Sequence, residues 1–495
     1  MSQFLFDRPG RIPATLALSA LLCAMIMATA CSGALSGSNH ANPDPLGLGI
    51  VPGPLGSVNP QTIQVRIGSE PNDRIVSLSL SISSLQSTNS GAQDLELLTA
   101  PVTVEFTRSA LVSEPVLVRQ IYQDTYSTLI FPAMSGQVVF YDDNGQLTTQ
   151  ALNISGQTIN LSPSLVLGTD PQVFSVDLDL AQSFSISGST LTPNSLVVTA
   201  ESQLPAPPVA PAVGQPETGS VNFFVGTVTA VDTNAHVITL QPSSGDSTDV
   251  AYDPGTTVFA NCDPAALTGM MVETEAATQA DGTVLATEVS FIEDSASSSE
   301  LYGVLSGLTP DGINYNLIAD GGLGAHVDDS LLGKNITIDW LATGYSINDS
   351  HLDLSGSADL VFDEVRTFPG QMVEVKWDTL LVPDPDGVNA GFLSPRMIEL
   401  EEQTITGQVS GYTALDGTFH LNVASDSVIK TLNPGLISIQ VRQVPQTYLR
   451  NTPTFNDGDV VKVRGLIFVH PDYSYVMQHP GDPVALVMVA DRISK

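Results

Sequence analysis

Apolar and polar residues alternate one by one along much of this chain, and no window carries a sustained apolar stripe at the 3.6-residue helical period. Alternation at period two puts one face of a strand against a core and the other toward water. Val76, Leu78, Leu80 and Ile82 alternate with Ser77, Ser79 and Ser81 in this way, and Val102–Phe106 and Phe174–Leu180 repeat the pattern. Val138–Tyr141 runs into Asp142-Asp143-Asn144-Gly145, and Asn-Gly suits the positive φ angles of a tight hairpin turn. The expectation is an all-β protein in which residues 69–200 form an antiparallel sandwich.

A proline-rich stretch at 201–220, with Pro205, Pro207, Pro208, Pro211 and Pro216, reads as a semi-rigid linker. Beyond it the sequence repeats itself. Gly226-Thr227-Val228, Gly303-Val304-Leu305 and Gly407-Gln408-Val409 each open a strand that leads through a turn into another. A second marker follows in each case: Gly269-Met270-Met271-Val272-Glu273, Gly370-Gln371-Met372-Val373-Glu374 and Gly458-Asp459-Val460-Val461-Lys462. Their spacing is too irregular for a solenoid. Residues 221–296, 300–402 and 403–495 are therefore expected to be three diverged copies of one small barrel-like unit, close enough in sequence to touch.

The first thirty residues look like an address. Arg8 and Arg11 precede an uncharged run from Ile12 to Ala30, shorter in its apolar part than a bilayer-spanning helix needs. Residues 1–30 read as a signal peptide ending in Ala28-Thr29-Ala30, ahead of Cys31. Ala-x-Ala suits ordinary signal peptidase, while a small residue before Cys suits a bacterial lipobox, which usually carries Leu where Ala28 stands. Residues 31–68, rich in Ser, Gly, Asn and Pro, read as a flexible tether. Lipidation at Cys31 is the expectation, giving an exported protein anchored in a membrane, periplasmic or at the cell surface, with the outer membrane favoured. Cys23 then leaves with the signal peptide, and Cys262 stands without an intrachain disulfide partner.

The repeat, with its Gly-x-Val opening, its central Gly-x-x-Val-Glu and its closing strand (Ala286–Val289 in the first copy), resembles the bacterial family called domain of unknown function 5666. Thr257-Val258-Phe259 and Asp281-Gly282-Thr283 strengthen the match over residues 222–292, while insertions at 335–357 and 431–453 weaken it in the later copies. The alternating strand after residue 75 and Phe174–Phe184 leading to Leu191-Thr192-Pro193 resemble domain of unknown function 4382. The pairing is similar to exported lipoproteins of acidobacterial type. The resemblance implies a transthyretin-like sandwich followed by small barrels, and it brings no catalytic residues.

Charge narrows the partners. Seventeen Lys and Arg face 52 Asp and Glu in 495 residues, a formal charge of −35. Nucleic acid and anionic headgroups are excluded as electrostatic partners, because both are held by Lys and Arg. No Gly-x-Ser-x-Gly, His-Glu-x-x-His, phosphate loop or Gly-x-Gly-x-x-Gly occurs, and the seven histidines show no close metal-ligand spacing. His236 and His420 sit at corresponding positions, but Asn314 lies nearby in the second copy. Acidic turns at Asp142–Gly145 and Asp384–Gly387 invite calcium without completing a calcium loop. Trp340, Trp377, Tyr345, Tyr473 and Tyr475 are the carriers for carbohydrate stacking, with Tyr473 and Tyr475 on one face of a strand. No catalytic residue, metal site or cofactor is expected. The leading expectation is a non-enzymatic binding or scaffolding protein with an extracellular glycan or protein partner. A polysaccharide-binding lipoprotein and a carboxylate-based hydrolase are the alternatives.

Overall fold

The computed structural model describes residues 60–203, 220–292, 299–450, 454–469 and 486–495, short loop segments within these ranges excepted. The signal peptide, Cys31, Tyr473 and Tyr475 lie outside the described residues. The protein is all-β, with helix among the described residues confined to short turns such as Leu180–Ser183 and Val428–Leu432.

The first body has sheets that enclose one apolar core, centred on Leu78, Leu80, Val138, Phe140 and Phe174. One sheet has the strand order Val198–Gln203, Gln172–Asp179, Pro60–Glu70, Ser113–Tyr122. The strand Pro60–Glu70 is central to it, parallel to Gln172–Asp179 and antiparallel to Ser113–Tyr122. The expected tether therefore ends before residue 60. Ile63, Val65 and Ile67, each at most 1% exposed, face the core, while Gln64 and Arg66 between them are buried on the other side against Thr278. A second correction concerns Val76. A bulge between Ile75 and Ser77 shifts the register, so Ile75 joins Leu78 and Leu80 in the core while Val76 enters a separate apolar cluster. In that cluster Val76, Val139 and Tyr141 meet Tyr302, Val304, Ile318 and Met372 of the second unit. The expected wet face of this strand is thus partly covered, and the Ser77 hydroxyl donates to the Asp320 carbonyl at 3.0 Å.

Beyond residue 220 come a six-stranded sheet, a seven-stranded sheet and a closed five-stranded barrel. In the first unit Thr248–Tyr252 pairs in parallel with Val284–Phe291, which closes the circle. In the third, Ser438–Arg450 does the same with Leu486–Ser494. The second unit stays interrupted. Its closing segment breaks at Ser394-Pro395, so Phe392–Leu393 pairs with Asn335–Ile338 while Met397–Leu400 pairs with Met372–Trp377. Proline has no N–H to give to a ladder, which fits a break at this point.

The marker glycines hold equivalent places in all three units. Gly226, Gly303 and Gly407 sit opposite Val272, Val373 and Val461 respectively. A Cβ at each would meet a carbonyl of the neighbouring hairpin strand, Gln241, Ile318 or Asn422. Gly269, Gly370 and Gly458 all have positive φ, at 87°, 98° and 95°. Their N–H groups donate to Val228, Leu305 and Val409 at 2.7, 2.6 and 2.8 Å. Gly269→Ala meets open space and should cost about 1–2 kcal/mol for its backbone alone. Gly303→Ala drives a Cβ into the Ile318 carbonyl and should cost about 3 kcal/mol or more. Thermal melts of the two variants check the order.

Candidate functional site

Glu273 and Glu374 stand four residues after their marker glycines, at matching positions of the first and second units. Because Val272 and Val373 point into their own cores at 0% exposure, strand alternation turns each glutamate the other way. The two units meet there, and a cavity of about 100 Å³ lies between them. The first unit contributes Glu273 and Glu275 from Met271–Thr278, and Glu288 from Val284–Phe291. The second contributes Glu300 and Tyr302 from Ser299–Leu308, and Glu374 and Lys376 from Met372–Trp377. Glu399, Glu401 and Asn348 complete the wall.

Lys376 is the cation of this cavity, and its ammonium lies 3.0 Å from both Glu374 and Glu399. Asn348 donates to the Glu401 carboxylate at 3.1 Å, and Ser290 donates to Glu288 at 2.8 Å. Glu374, Glu399 and Glu401 bring carboxylate oxygens within 4.8 Å of one another. A hard cation would accept such oxygens, but Lys376 already holds two of the three groups. Loss of hydration pushes Glu273 and Glu374 up to about 8; repulsion from Glu374 and Glu275 adds to the shift of Glu273, while Lys376 opposes that of Glu374. Burial likewise raises Glu300 and lifts Glu401 well above the carboxylate range. Glu300 and Glu374 line the same cavity, and repulsion from Glu300 adds to the upward shift of Glu374. Carboxylic acids held neutral near pH 7 can donate and accept protons, the property expected at functional sites.

The sandwich reaches the same region through Arg108. Its guanidinium lies 4.4 Å from the centre of the Tyr302 ring and lowers the proton affinity of Glu273. Asp320, 1% exposed, sits nearby with both carboxyl oxygens lacking a hydrogen-bond partner. Burial raises it well above the usual range, and the Arg108 charge opposes that shift. A second cavity of about 90 Å³ lies between the sandwich and the later units. It contains Asp73, which accepts from the Thr406 N–H at 2.8 Å and hydroxyl at 2.9 Å, and which burial pushes up to about 6.

The residues singled out in the sequence are not brought together here. Trp340 and Trp377 are 2% and 0% exposed within the core of the second unit, so neither offers a ring face to a sugar. Tyr345 is half-buried, packs edge-on against Trp340 and donates its hydroxyl to the Trp340 carbonyl. Burial raises Cys262 above an ordinary thiol, with Asp263 and Glu288 adding to the effect, and Sγ donates to the Val289 carbonyl. Asp142 uses a carboxylate oxygen to accept from the Asn144 and Gln146 N–H groups, each at 2.8 Å, which suits a turn. His236 packs against Tyr252, while His420 is exposed.

A recurring Glu in the Gly-x-x-Val-Glu marker was the available signal for this cavity. The comparison of His236, Asn314 and His420 across the units passed over it. The chain matches no protein-family model, and no curated protein matches it.

Replacing Lys376 by Met leaves Glu374 and Glu399 facing each other without their cation. We expect a loss of about 2 kcal/mol at about pH 9, smaller at about pH 6, where Glu374, pushed up to about 8, keeps its proton. Urea unfolding at the two pH values checks both the size and the direction.

Proposed function

We propose that this chain is a non-enzymatic, lipid-anchored protein of the cell envelope that acts as a binding or scaffolding body outside the cytoplasm. The observation that carries this reading is the way charged side chains clamp the third barrel to the sandwich. Arg450 pairs with Asp177 and Glu70, and Lys462 pairs with Glu70 at 2.7 Å. Arg464, 2% exposed, binds Glu402 and the carbonyls of Arg108 and Ala110. Arg492 donates to the Leu111 carbonyl. Such clamps resist rotation of one module against another and suit a body that presents a fixed surface.

The matched glycine contacts support reading 221–296, 300–402 and 403–495 as diverged copies of one unit. The anchor reading rests on the apolar run before Cys31 and the Ser/Gly/Pro segment after it. The partner is an extracellular glycan or protein, and the acidic surface favours neutral or cationic chemistry. The polysaccharide alternative gains nothing from the buried tryptophans. The hydrolase alternative would need a substrate to reach the glutamate cavity, whose volume suits a few water molecules.

Cys31→Ser should move the protein from the membrane fraction to the soluble one. An unchanged distribution with unchanged labelled-palmitate incorporation would refute the anchor. Panels of esters, peptides and glycosides should show no turnover, and turnover abolished by one carboxylate substitution would establish the hydrolase instead. Arg450→Met removes the cation that pairs with Asp177, which is 3% exposed, and should cost about 3 kcal/mol in a chemical unfolding experiment.

A further inference from the structure

We propose that the contact between the first and second units is a proton-locked joint: carboxyl groups hold it closed while they keep their protons, and it loosens when they lose them.

The joint is crowded with groups of one sign. Glu273, Glu275 and Glu288 approach from the first unit. Glu300, Glu374, Glu399 and Glu401 approach from the second, with Tyr302 beside them. Lys376 lies within the cavity wall, Arg108 reaches in from the sandwich, and Arg396 acts on Glu300 from farther off. Among the described residues these cations are fewer than the glutamates that line the cavity. Glu300, Glu374 and Glu401 are 4–5% exposed, so water cannot screen the excess. Glu300 and Glu374 share the cavity wall, and a proton kept by one of them removes the repulsion between the pair. Glu273 faces Glu374 from across the joint, and repulsion between them is absent only while one stays neutral.

The direction follows from linkage. Glu273 and Glu374 bind protons more tightly in the folded protein, at about 8, than the ordinary glutamate value of 4.5. The folded state therefore holds more protons than the unfolded one between these values, and stability falls as pH rises through that window. Their contribution is complete below 4.5 and gone once pH has passed about 8. The effect concentrates where the two units touch: Glu70, at the third unit's contact, is paired with Arg450 and Lys462, and Asp73, pushed up to about 6, titrates mainly below the range in which the joint loosens.

Hydrogen exchange on the full chain, in chelator so that no metal ion supplies the missing charge, tests the joint. Rates corrected for chemical exchange should rise at least about tenfold in Met271–Thr278 and Met372–Trp377 between about pH 6 and about pH 9. Those in Thr418–Val423 of the third barrel should stay level. The double variant Glu273→Gln, Glu374→Gln should remove the rise. A rise of equal size throughout the chain, no rise, or an unchanged rise in the double variant would overturn the proposal. Should that variant not fold, carbon-13 spectra of glutamate-labelled wild type decide: carboxyl midpoints near about 8 support the joint, and midpoints all below about 6 refute it.

Discussion

Positive charge is scarce in this chain, and the structure places much of it where modules meet. Arg66 donates to Thr278 at 2.8 Å, joining the sandwich to the first unit. Arg108 lies over Tyr302 of the second unit, and Arg450, Lys462, Arg464 and Arg492 join the third barrel to the sandwich. An acidic protein of several modules would otherwise set like charges against each other at each contact. A buried cation that satisfies several carbonyl or carboxylate oxygens turns such a contact into a fixed joint, because removing either partner leaves an unpaired buried group. Apolar contacts also cross between modules, where Val76 and Tyr141 meet Tyr302 and where Leu466, Phe468, Val487 and Val489 share the core of the second unit, and the cations fix the polar part of each contact.

Fold class was legible because strand alternation is local. Val102, Val104 and Phe106 are buried as their spacing implies, and the strand Gln172–Asp179 falls where Phe174–Leu180 alternates. The strand Pro60–Glu70 carried the same signal in Ile63, Val65 and Ile67, yet its turn-rich surroundings made it resemble tether. Val76 was misplaced for a different reason. A bulge inserts one residue and exchanges the two faces from that point onward, and nothing in Ile75-Val76-Ser77 marks it. Asp177 looked like a wet-face residue and is instead buried against Arg450, 273 residues away in sequence.

The glutamate cavity was harder to read for a related reason. Its walls come from strands between residues 271 and 401, and only the register of those strands brings their polar faces together. The Gly-x-x-Val-Glu marker carried half of the information, since it fixed Glu273 and Glu374 on the side of the strand away from the core. What it lacked was the contact between the units. The tryptophans failed in the opposite direction: large rings draw notice as sugar platforms, but a small β-unit needs them as core, and Trp377 at 0% exposure fills that role.

The third unit shows how one strand position serves different neighbours. Gly458 and Val461 repeat the marker geometry, so the following residue, Lys462, must leave the core on the same side as Glu273 and Glu374 do. There it meets Glu70 of the sandwich at 2.7 Å, with Arg450 holding the same glutamate from another strand. A glutamate at 462 would face Glu70 with like charge in a half-buried place. The backbone thus fixes a contact position in each unit, and the neighbour selects its charge. Where the neighbour is acidic and fixed, the position holds a lysine. Where two units present their own glutamates to each other, Lys376 and retained protons take the place of that lysine.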